Sequence, residues 1–469
     1  MKKTFLLAGA NIRKSKGQMI ILAVLFLIAA ILMNIGMSLL FNFGSYFERM
    51  AEDLNTSDAI IIISQNFWTD EVEQLINEST TEIEKHPAVF LFGEIPWGDN
   101  TILSTIAFSD MNRAYNLSRW KLVSDSLPMT TNGAYVPFGW NIHGHELGNN
   151  FTIDTDGGLF TFNIAGHTES ILTDGVNSPA NILIPTERFN ELYDSLYENR
   201  AYIVFANGVT NFQELLFNIS ELSGFPTGFD SVIGGIALEA MIVFRTMMAN
   251  MTAMILVLFT IVIVAVSMFV VRFRIKNGIE EDMVKIGSLQ SIGYTSKQIK
   301  RSIIAQYSLI VLLSTILSII PAIFILPMIG EVLAAQSGIF WRPGATPGIY
   351  IITLIFLVLV VWLATKLSAR GIRKITPVLA MRGGLETHNF KRNRIPLSKS
   401  RLPLTSALAA KTILQNKRQS FMMFFIMLAV SFTAVVALVL FYNSTINLSS
   451  FELIPGNERA NSAIALRPD

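Results

Sequence analysis

The sequence predicts an α-helical transmembrane bundle with a mixed α/β extracytoplasmic domain on a helical stalk. Hydrophobic residues make up 51% of the chain and charged residues only 15%, which is too apolar a composition for a soluble protein of 469 residues. Five apolar runs are each long enough to cross a bilayer as a helix. These predicted spans are TM1 (19–43), TM2 (251–271), TM3 (303–329), TM4 (348–364) and TM5 (421–442).

Lysine and arginine are distributed unevenly between the predicted spans, and this determines the expected orientation. Five lie before TM1, seven between TM2 and TM3, and thirteen between TM4 and TM5, whereas one lies between TM3 and TM4 and two follow TM5. Segments rich in basic residues stay on the cytoplasmic side of a membrane. The sequence therefore predicts a cytoplasmic amphipathic lead-in (1–18), a cytoplasmic coupling segment (272–302), a basic cytoplasmic connector (365–420) and an extracytoplasmic tail (443–469).

The segment between TM1 and TM2, residues 44–250, is predicted to form the extracytoplasmic domain. Its 27 acidic and 8 basic residues give a net charge of −19, which argues against nucleic acid or anionic lipid as its partner and is compatible with a cationic ligand. The chain has no cysteine, so this domain must be held together by its own hydrophobic core. Alternating and helical patterns predict strands at 59–64, 89–95, 102–108, 134–137, 151–153, 160–164, 181–184 and 202–205, and helices at 70–78, 187–196 and 211–222.

Helix-forming sequence continues on both flanks of this domain. Ala237–Arg274 contains no Gly or Pro, so a single helix of its 38 residues would be roughly 57 Å long, nearly twice the hydrocarbon thickness. We expect this helix and an extension of TM1 to form a stalk beneath the domain. In the alternative that the sequence leaves open, the outer parts of both helices lie flat on the bilayer.

The segment Glu280–Ile304 is predicted to form two helices separated by a turn. The first helix has one apolar stripe at helical spacing. Gly293 is a typical C-terminal stop, and Thr295 followed by Gln298 predicts a capping box at the start of the second helix. Such a segment suits the transmission of force from a soluble partner, and an ordinary connector between two spans is the alternative. The stripe consists of Ile279, Met283, Ile286 and Leu289.

Motifs for several kinds of chemistry are absent from the sequence. It contains no P-loop, no His-Glu-x-x-His zinc motif and no Gly-x-Ser-x-Gly nucleophile elbow. His143, His145, Glu146 and His167 are the nearest approach to a metal-binding group, but the first three lie in a loop with flanking glycines, and we expect no metal there. The central parts of the spans carry no ionisable residue, and in TM1 the central part contains the polar residue Asn34. We therefore expect that the chain itself is not an enzyme and binds no cofactor.

The N-terminal lead-in recurs near the end of the chain. With a shift of 401 residues, Leu7-Ala8 matches Leu408-Ala409, and an apolar span follows in both places. Ile12, Lys16 and Gln18 have counterparts at the same shift. We expect a second copy of the unit to begin near Leu402, with only its first span, TM5, present before Asp469.

Two short segments resemble signatures of a known family. Leu289–Ile299 resembles the cytoplasmic signature of the FtsX/MacB-type permease subunits of ABC transporters, and Ile375–Gly384 resembles the signature that follows their fourth span. In the predicted extracytoplasmic domain, Tyr135-Val-Pro, Leu147–Ile153 and Phe162–Gly166 are similar to the periplasmic core domain of the family. The order of one span, a large external domain and three further spans is also that of the family.

The resemblance implies a permease that couples ATP hydrolysis by a separate ATPase dimer to movement of the external domain. ATP and magnesium would be bound by that partner, in a bacterial plasma membrane, and the chain would pair with a second permease copy or the missing C-terminal half. Further expected partners are membrane lipid, a peptide, lipopeptide or lipoprotein-like substrate, and an extracellular accessory protein. A complex that signals to a cell-wall hydrolase or an antibiotic-sensing kinase is the alternative, and a membrane enzyme is a third reading. The implied ATPase-coupling residues are Glu280, Met283, Ile286, Leu289, Ile292, Gly293, Thr295 and Gln298.

Overall fold

The computed structural model describes residues 2–374, apart from 98–99, 124–125, 156–157, 174–178, 224–232, 342 and 345, together with ten scattered positions between 420 and 439. The chain divides into two compact units. The helical unit comprises the described residues within 1–34, 256–320 and from 347 onward, and the sheet unit comprises those within 35–255 and 321–346. The predicted tail, the repeat and most of the connector lie outside the described residues.

Eleven helices and ten strands can be assigned in this part of the chain. The helices are α1 (Lys2–Lys14), α2 (Lys16–Ser38), α3 (Gly44–Asp53), α4 (Asp70–Ser79), α5 (Thr186–Ser195), α6 (Phe212–Ser223), α7 (Leu238–Glu281), α8 (Met283–Ser291), α9 (Ser296–Leu317), α10 (Ile319–Ser337) and α11 (Pro347–Ser368). The strands are β1 (Ala59–Ser64), β2 (Glu82–Trp97), β3 (Asn100–Asp110), β4 (Lys121–Leu122), β5 (Gly133–Pro137), β6 (Asn150–Thr155), β7 (Gly158–Glu169), β8 (Ala180–Ile184), β9 (Arg200–Asn207) and β10 (Ile233–Ala237). A π-helical turn, Leu39–Phe43, joins α2 to α3.

Four helical stretches of the described chain are long and apolar enough to cross a membrane, and they coincide with TM1 to TM4. The predicted TM5 lies mostly outside the described residues, and the nine positions that are described there are helical. The number of five spans therefore stays a prediction, as does the cytoplasmic location of the N-terminus. The four stretches are Lys16–Asp53, Ala249–Ile279, Ser296–Ala334 and Pro347–Ser368.

Helix α7 is continuous over 44 residues, which corresponds to a length of roughly 66 Å. The predicted long helix is thus confirmed, and it extends seven residues beyond Arg274 to Glu281. The short helix predicted from Glu280 begins only at Met283, after the break at Asp282. TM3 is divided at Ser318: α9 ends at Leu317, four residues before Pro321, whose ring would clash with that carbonyl in a continuous helix.

The sheet unit contains one mixed ten-stranded sheet with the order β10-β1-β9-β2-β3-β8-β5-β7-β4, and β6 pairs with β7. The β3–β8 and β5–β7 pairs are parallel and the other pairs are antiparallel. Strand β1 is buried on both faces, because alternate side chains enter different clusters. Ile60 and Ile62 face one cluster, while Ile61 and Ile63 pack against α4 and α6.

The predicted strands and helices of this domain are confirmed, and β6 and β7 pair in antiparallel fashion. Strands β4 and β10 were not predicted. Strand β10 has the sequence Ile-Gly-Gly-Ile-Ala, and glycine is depleted in strands. The structure gives the reason for one of these glycines: a Cβ atom on Gly235 would lie 2.4 Å from the carbonyl oxygen of Ile60 on the paired strand β1.

Gly235→Ala should therefore destabilise the sheet unit by about 1–3 kcal/mol, because β10 would have to move away from β1. The matched control is Gly44→Ala in α3, where an added Cβ meets no atom within 4 Å. Alanine also has the higher helix propensity, so the control should be neutral or stabilising by up to about 1 kcal/mol. The free energies of unfolding of both variants test this, and equal values would contradict it.

Candidate functional site

Helix α8 ends in a tight, fully hydrogen-bonded turn. Gly293 has φ +101°, a conformation that side chains disfavour. Its N–H donates to the carbonyl of Gln290 at 3.0 Å, and the N–H of Tyr294 donates to the carbonyl of Leu289 at 3.0 Å. These two bonds form a Schellman motif. The stop that the sequence predicted at Gly293 is confirmed.

Helix α9 begins directly after this turn with the predicted capping box. The Thr295 hydroxyl accepts a hydrogen bond from the Gln298 N–H at 3.3 Å, and the Thr295 N–H donates to Gln298 Oε1 at 3.0 Å. Both motifs satisfy backbone groups at helix ends that would otherwise lack partners. The turn between α8 and α9 is therefore fixed by local hydrogen bonds on both sides.

The apolar stripe of α8 faces the interior of the helical unit. Ile286 is 6% exposed and belongs to a buried cluster that includes Ile275 and Ile299. Met283 and Leu289 are partly buried against the same cluster. The stripe therefore packs inside the helical unit, because helical periodicity shows which side chains share a face but not what that face contacts. The ATPase-coupling role of Met283, Ile286 and Leu289 stays a prediction.

The exposed side of the segment carries a different set of residues. Ile292 is 77% exposed and Val284 is 56% exposed, and both are apolar. Gly293, Thr295 and Gln298 are also exposed. Glu280 lies in the last turn of α7, and its side chain is not among those described. Of the eight predicted coupling residues, the structure thus places four, Ile292, Gly293, Thr295 and Gln298, on the accessible side.

Asp282 links this segment to the N-terminal helix, which the sequence did not reveal. It lies between α7 and α8 and accepts hydrogen bonds from Lys14 Nζ at 2.6 Å and Lys285 Nζ at 3.0 Å. Burial alone would raise the pKa of Asp282, but the hydrogen bonds from both lysines outweigh it and lower the pKa. Ile12 of α1 packs against the buried cluster nearby. Helix α1 is therefore attached to the segment, and no local sequence pattern links two positions so far apart.

A second feature that the sequence did not reveal is a buried carboxylate in the sheet unit. Glu169, the last residue of β7, is 2% exposed. It accepts a hydrogen bond from the N–H of Phe340 and lies 3.4 Å from Lys121 Nζ. The Phe340 carbonyl accepts from the Tyr46 hydroxyl at 3.2 Å, and its ring lies 4.8 Å from that of Phe138. Within the sheet unit, the segment that follows α10 is therefore held against the end of β7 through Phe340.

Burial raises the pKa of Glu169 more than Phe340 and Lys121 lower it. A raised pKa in the folded state means that the stability from this group is full below the ordinary carboxyl pKa of about 4.3 and is lost as the pH rises through the raised value. Glu169→Gln keeps an acceptor for Phe340 and does not titrate. We expect the variant to be more stable than the wild type at neutral pH, with a smaller difference near pH 4. Thermal unfolding at several pH values tests this, and parallel curves would contradict it.

The histidines of the predicted loop make protein contacts. His145 and His167 are buried, and the His167 Nε2 atom lies 2.9 Å from the carbonyl oxygen of His145. Among the described residues, no group of three His, Asp or Glu side chains is placed to hold a metal ion. The side chain of His143 is not among those described.

Comparison with known families gives a match over the part of the chain that contains this site. Residues 257–377 match the family described as "FtsX-like permease C-terminal". The matched region begins within α7 and includes α8, α9 and α11, so the turn at Gly293 and the exposed Ile292 lie inside it. The second signature segment, Ile375–Gly384, lies outside the described residues.

Comparison with curated protein sequences gave no match, whereas several solved structures are similar to this chain, among them the following two. One is the periplasmic region of MacB from Actinobacillus actinomycetemcomitans, with 10% identity, 42% of this chain and 95% of that chain covered, and a TM-score of 0.22. The other is the extracellular domain of the noncanonic ABC-type transporter YknZ from Gram-positive bacteria, with 8% identity, 38% and 99% coverage, and a TM-score of 0.22. Scores this low carry no argument about function, so the assignment rests on the FtsX-like match.

Proposed function

We propose that this chain is the permease subunit of an ABC transporter and that it couples ATP hydrolysis by a separate ATPase dimer to movement of the sheet unit. The observation that carries the proposal is the FtsX-like match over residues 257–377 together with the exposed apolar residue Ile292 at a rigid turn inside it. The 469 residues contain no P-loop, so in this proposal the nucleotide and its magnesium are bound by the partner.

The α8–α9 turn would be the place where the ATPase docks. Ile292 and Val284 supply apolar surface, and Lys285 and Lys297 supply positive charge beside it. Apolar residues in the centre of an interface with charged groups around them are typical of protein–protein contacts. Because the Schellman motif and the capping box fix the turn, a displacement of Ile292 would move α8 and α9 together.

The substrate would be handled in or above the membrane. Helix α7 extends without a break from the matched region to Leu238 at the edge of the sheet, which suits mechanotransmission without passage of the substrate through a channel. The net negative charge of residues 44–250 is compatible with a cationic group on the substrate. Export or extraction of a peptide, lipopeptide or lipoprotein-like molecule from a bacterial plasma membrane fits these features.

Purification of the full chain from membranes of the cell that produces it tests the proposal. A tagged chain, extracted in mild detergent, should bring down a protein that contains a P-loop, and the complex should hydrolyse ATP. A matched preparation of the Ile292→Asp variant, with equal amounts of folded permease, should contain much less of that protein. Recovery of the wild-type chain without any P-loop protein would contradict the proposal.

A further inference from the structure

Helix α9 and Ser318, the residue that caps its C-terminal end, carry buried polar side chains at two places of contact with α2. Asn34 is 1% exposed, and its Nδ2 atom donates to Ser318 Oγ at 3.1 Å. Nearer the start of both helices, Gln306 Nε2 donates to Met19 Sδ at 3.5 Å, and both residues are 5% exposed. The later residue of α2 contacts the later residue of α9, so the helices run parallel. The two contacts together define the register of α9 against α2.

Each contact on α9 is preceded, about one helical turn earlier, by a buried hydroxyl group without a partner. Thr315 lies three residues before Ser318, and Ser302 lies four residues before Gln306. They are 1% and 2% exposed, and neither hydroxyl has a hydrogen-bond partner among the described residues. The Oδ1 atom of Asn34 likewise has no donor in this part of the chain.

Unpaired buried polar groups are costly, so their positions call for an explanation. Residues three or four positions apart lie on the same side of a helix, so Thr315 and Ser302 lie on the same side of α9 as the residues that now contact α2. The buried side of α2 between the two contacts carries only apolar residues, Leu22, Phe26, Ala29 and Ala30, in the same cluster as Val311 of α9. The polar groups at its two ends are therefore the ones whose pairing distinguishes one register from another.

We propose that α9 has a second register against α2, displaced by one helical turn, roughly 5.4 Å, toward its C-terminal end. In this register Thr315 replaces Ser318 as the partner of Asn34, and Ser302 replaces Gln306 beside Met19. The inference rests on the proposed function, because the ATPase that docks on the α8–α9 turn supplies the displacement. Asn34 is then a positioning residue that defines two discrete states of the permease.

Cysteine pairs can report the register directly, because the chain has no native cysteine. Met19→Cys with Gln306→Cys should cross-link in inside-out membrane vesicles without nucleotide. Met19→Cys with Ser302→Cys should cross-link after addition of ATP and vanadate. A pattern that does not change with nucleotide, in membranes where the chain stimulates ATP turnover, would overturn the second register. A chain that stimulates no ATP turnover at all would overturn the proposed function instead.

Single substitutions keep the inference testable if a cysteine pair fails to fold. Thr315→Val removes only the unpaired hydroxyl, so the thermal stability of the resting chain should stay unchanged or rise. Stimulated ATP turnover should fall by about threefold, the effect of one average hydrogen bond within a membrane. Thr315→Ser should restore it, whereas Ser318→Ala should lower the stability of the resting state. Normal turnover in Thr315→Val would overturn the inference.

Discussion

Ile292→Asp should abolish ATP turnover that depends on the permease while leaving the helical unit folded. The Ile292 side chain is 77% exposed, so its replacement removes little contact within the chain, and the free energy of unfolding should change by less than about 0.5 kcal/mol. In a complex, a carboxylate at this position would lose its water without gaining a partner. Such a loss at the centre of an interface is worth about 2 kcal/mol or more, or roughly 30-fold in affinity.

Two control variants separate docking from a general effect of the substitution. Ile292→Leu keeps the apolar surface and should retain stimulated turnover. Leu159→Asp introduces the same charge at another exposed apolar residue, 71% exposed next to the β6–β7 turn, and should also retain it. Normal turnover and normal ATPase binding in Ile292→Asp would exclude this residue from the coupling site.

Ile286→Asp, in contrast, should unfold the helical unit. Ile286 is only six residues from Ile292 but is 6% exposed, within a cluster of apolar side chains from several helices. A carboxylate there is buried without a partner, and we expect a loss of at least about 3 kcal/mol in the free energy of unfolding. Any loss of turnover should follow the loss of folded protein.

Thermal unfolding of the purified chain, measured beside ATP turnover, checks this expectation. Ile286→Val removes one methyl group from the same position and should cost about 0.5–1.5 kcal/mol with turnover retained. If Ile286→Asp kept the stability of the wild type and lost turnover, the stripe would be a docking face after all.

The contrast between Ile286 and Ile292 shows how much of the site the sequence could predict. The Gly293 stop and the Thr295–Gln298 capping box depend on residues within one or two turns, and both were predicted correctly. The side on which α8 packs depends on Ile275, Ile299 and the rest of its cluster, which the local pattern does not specify. The ATPase-coupling role of the segment remains a prediction.

In the rest of the molecule too, features that depend on neighbouring residues could be predicted from the sequence, and contacts between residues far apart in the chain could not. Strand β1 was predicted because five successive apolar β-branched or small residues are sufficient to mark a buried strand. The pairing of Gly235 with β1, the contact of Lys14 with Asp282 and that of Glu169 with Phe340 join residues more than 150 positions apart. Such contacts leave no periodic pattern in the sequence.

A single cysteine at position 292 gives the most direct test of the coupling role. The chain has no other cysteine, so a photoactivatable label at Ile292→Cys reports one location in native membranes. We expect an adduct between this position and a protein that contains a P-loop, and no such adduct from Leu159→Cys. Absence of the adduct at position 292, in membranes where the labelled chain is folded and inserted, would contradict it.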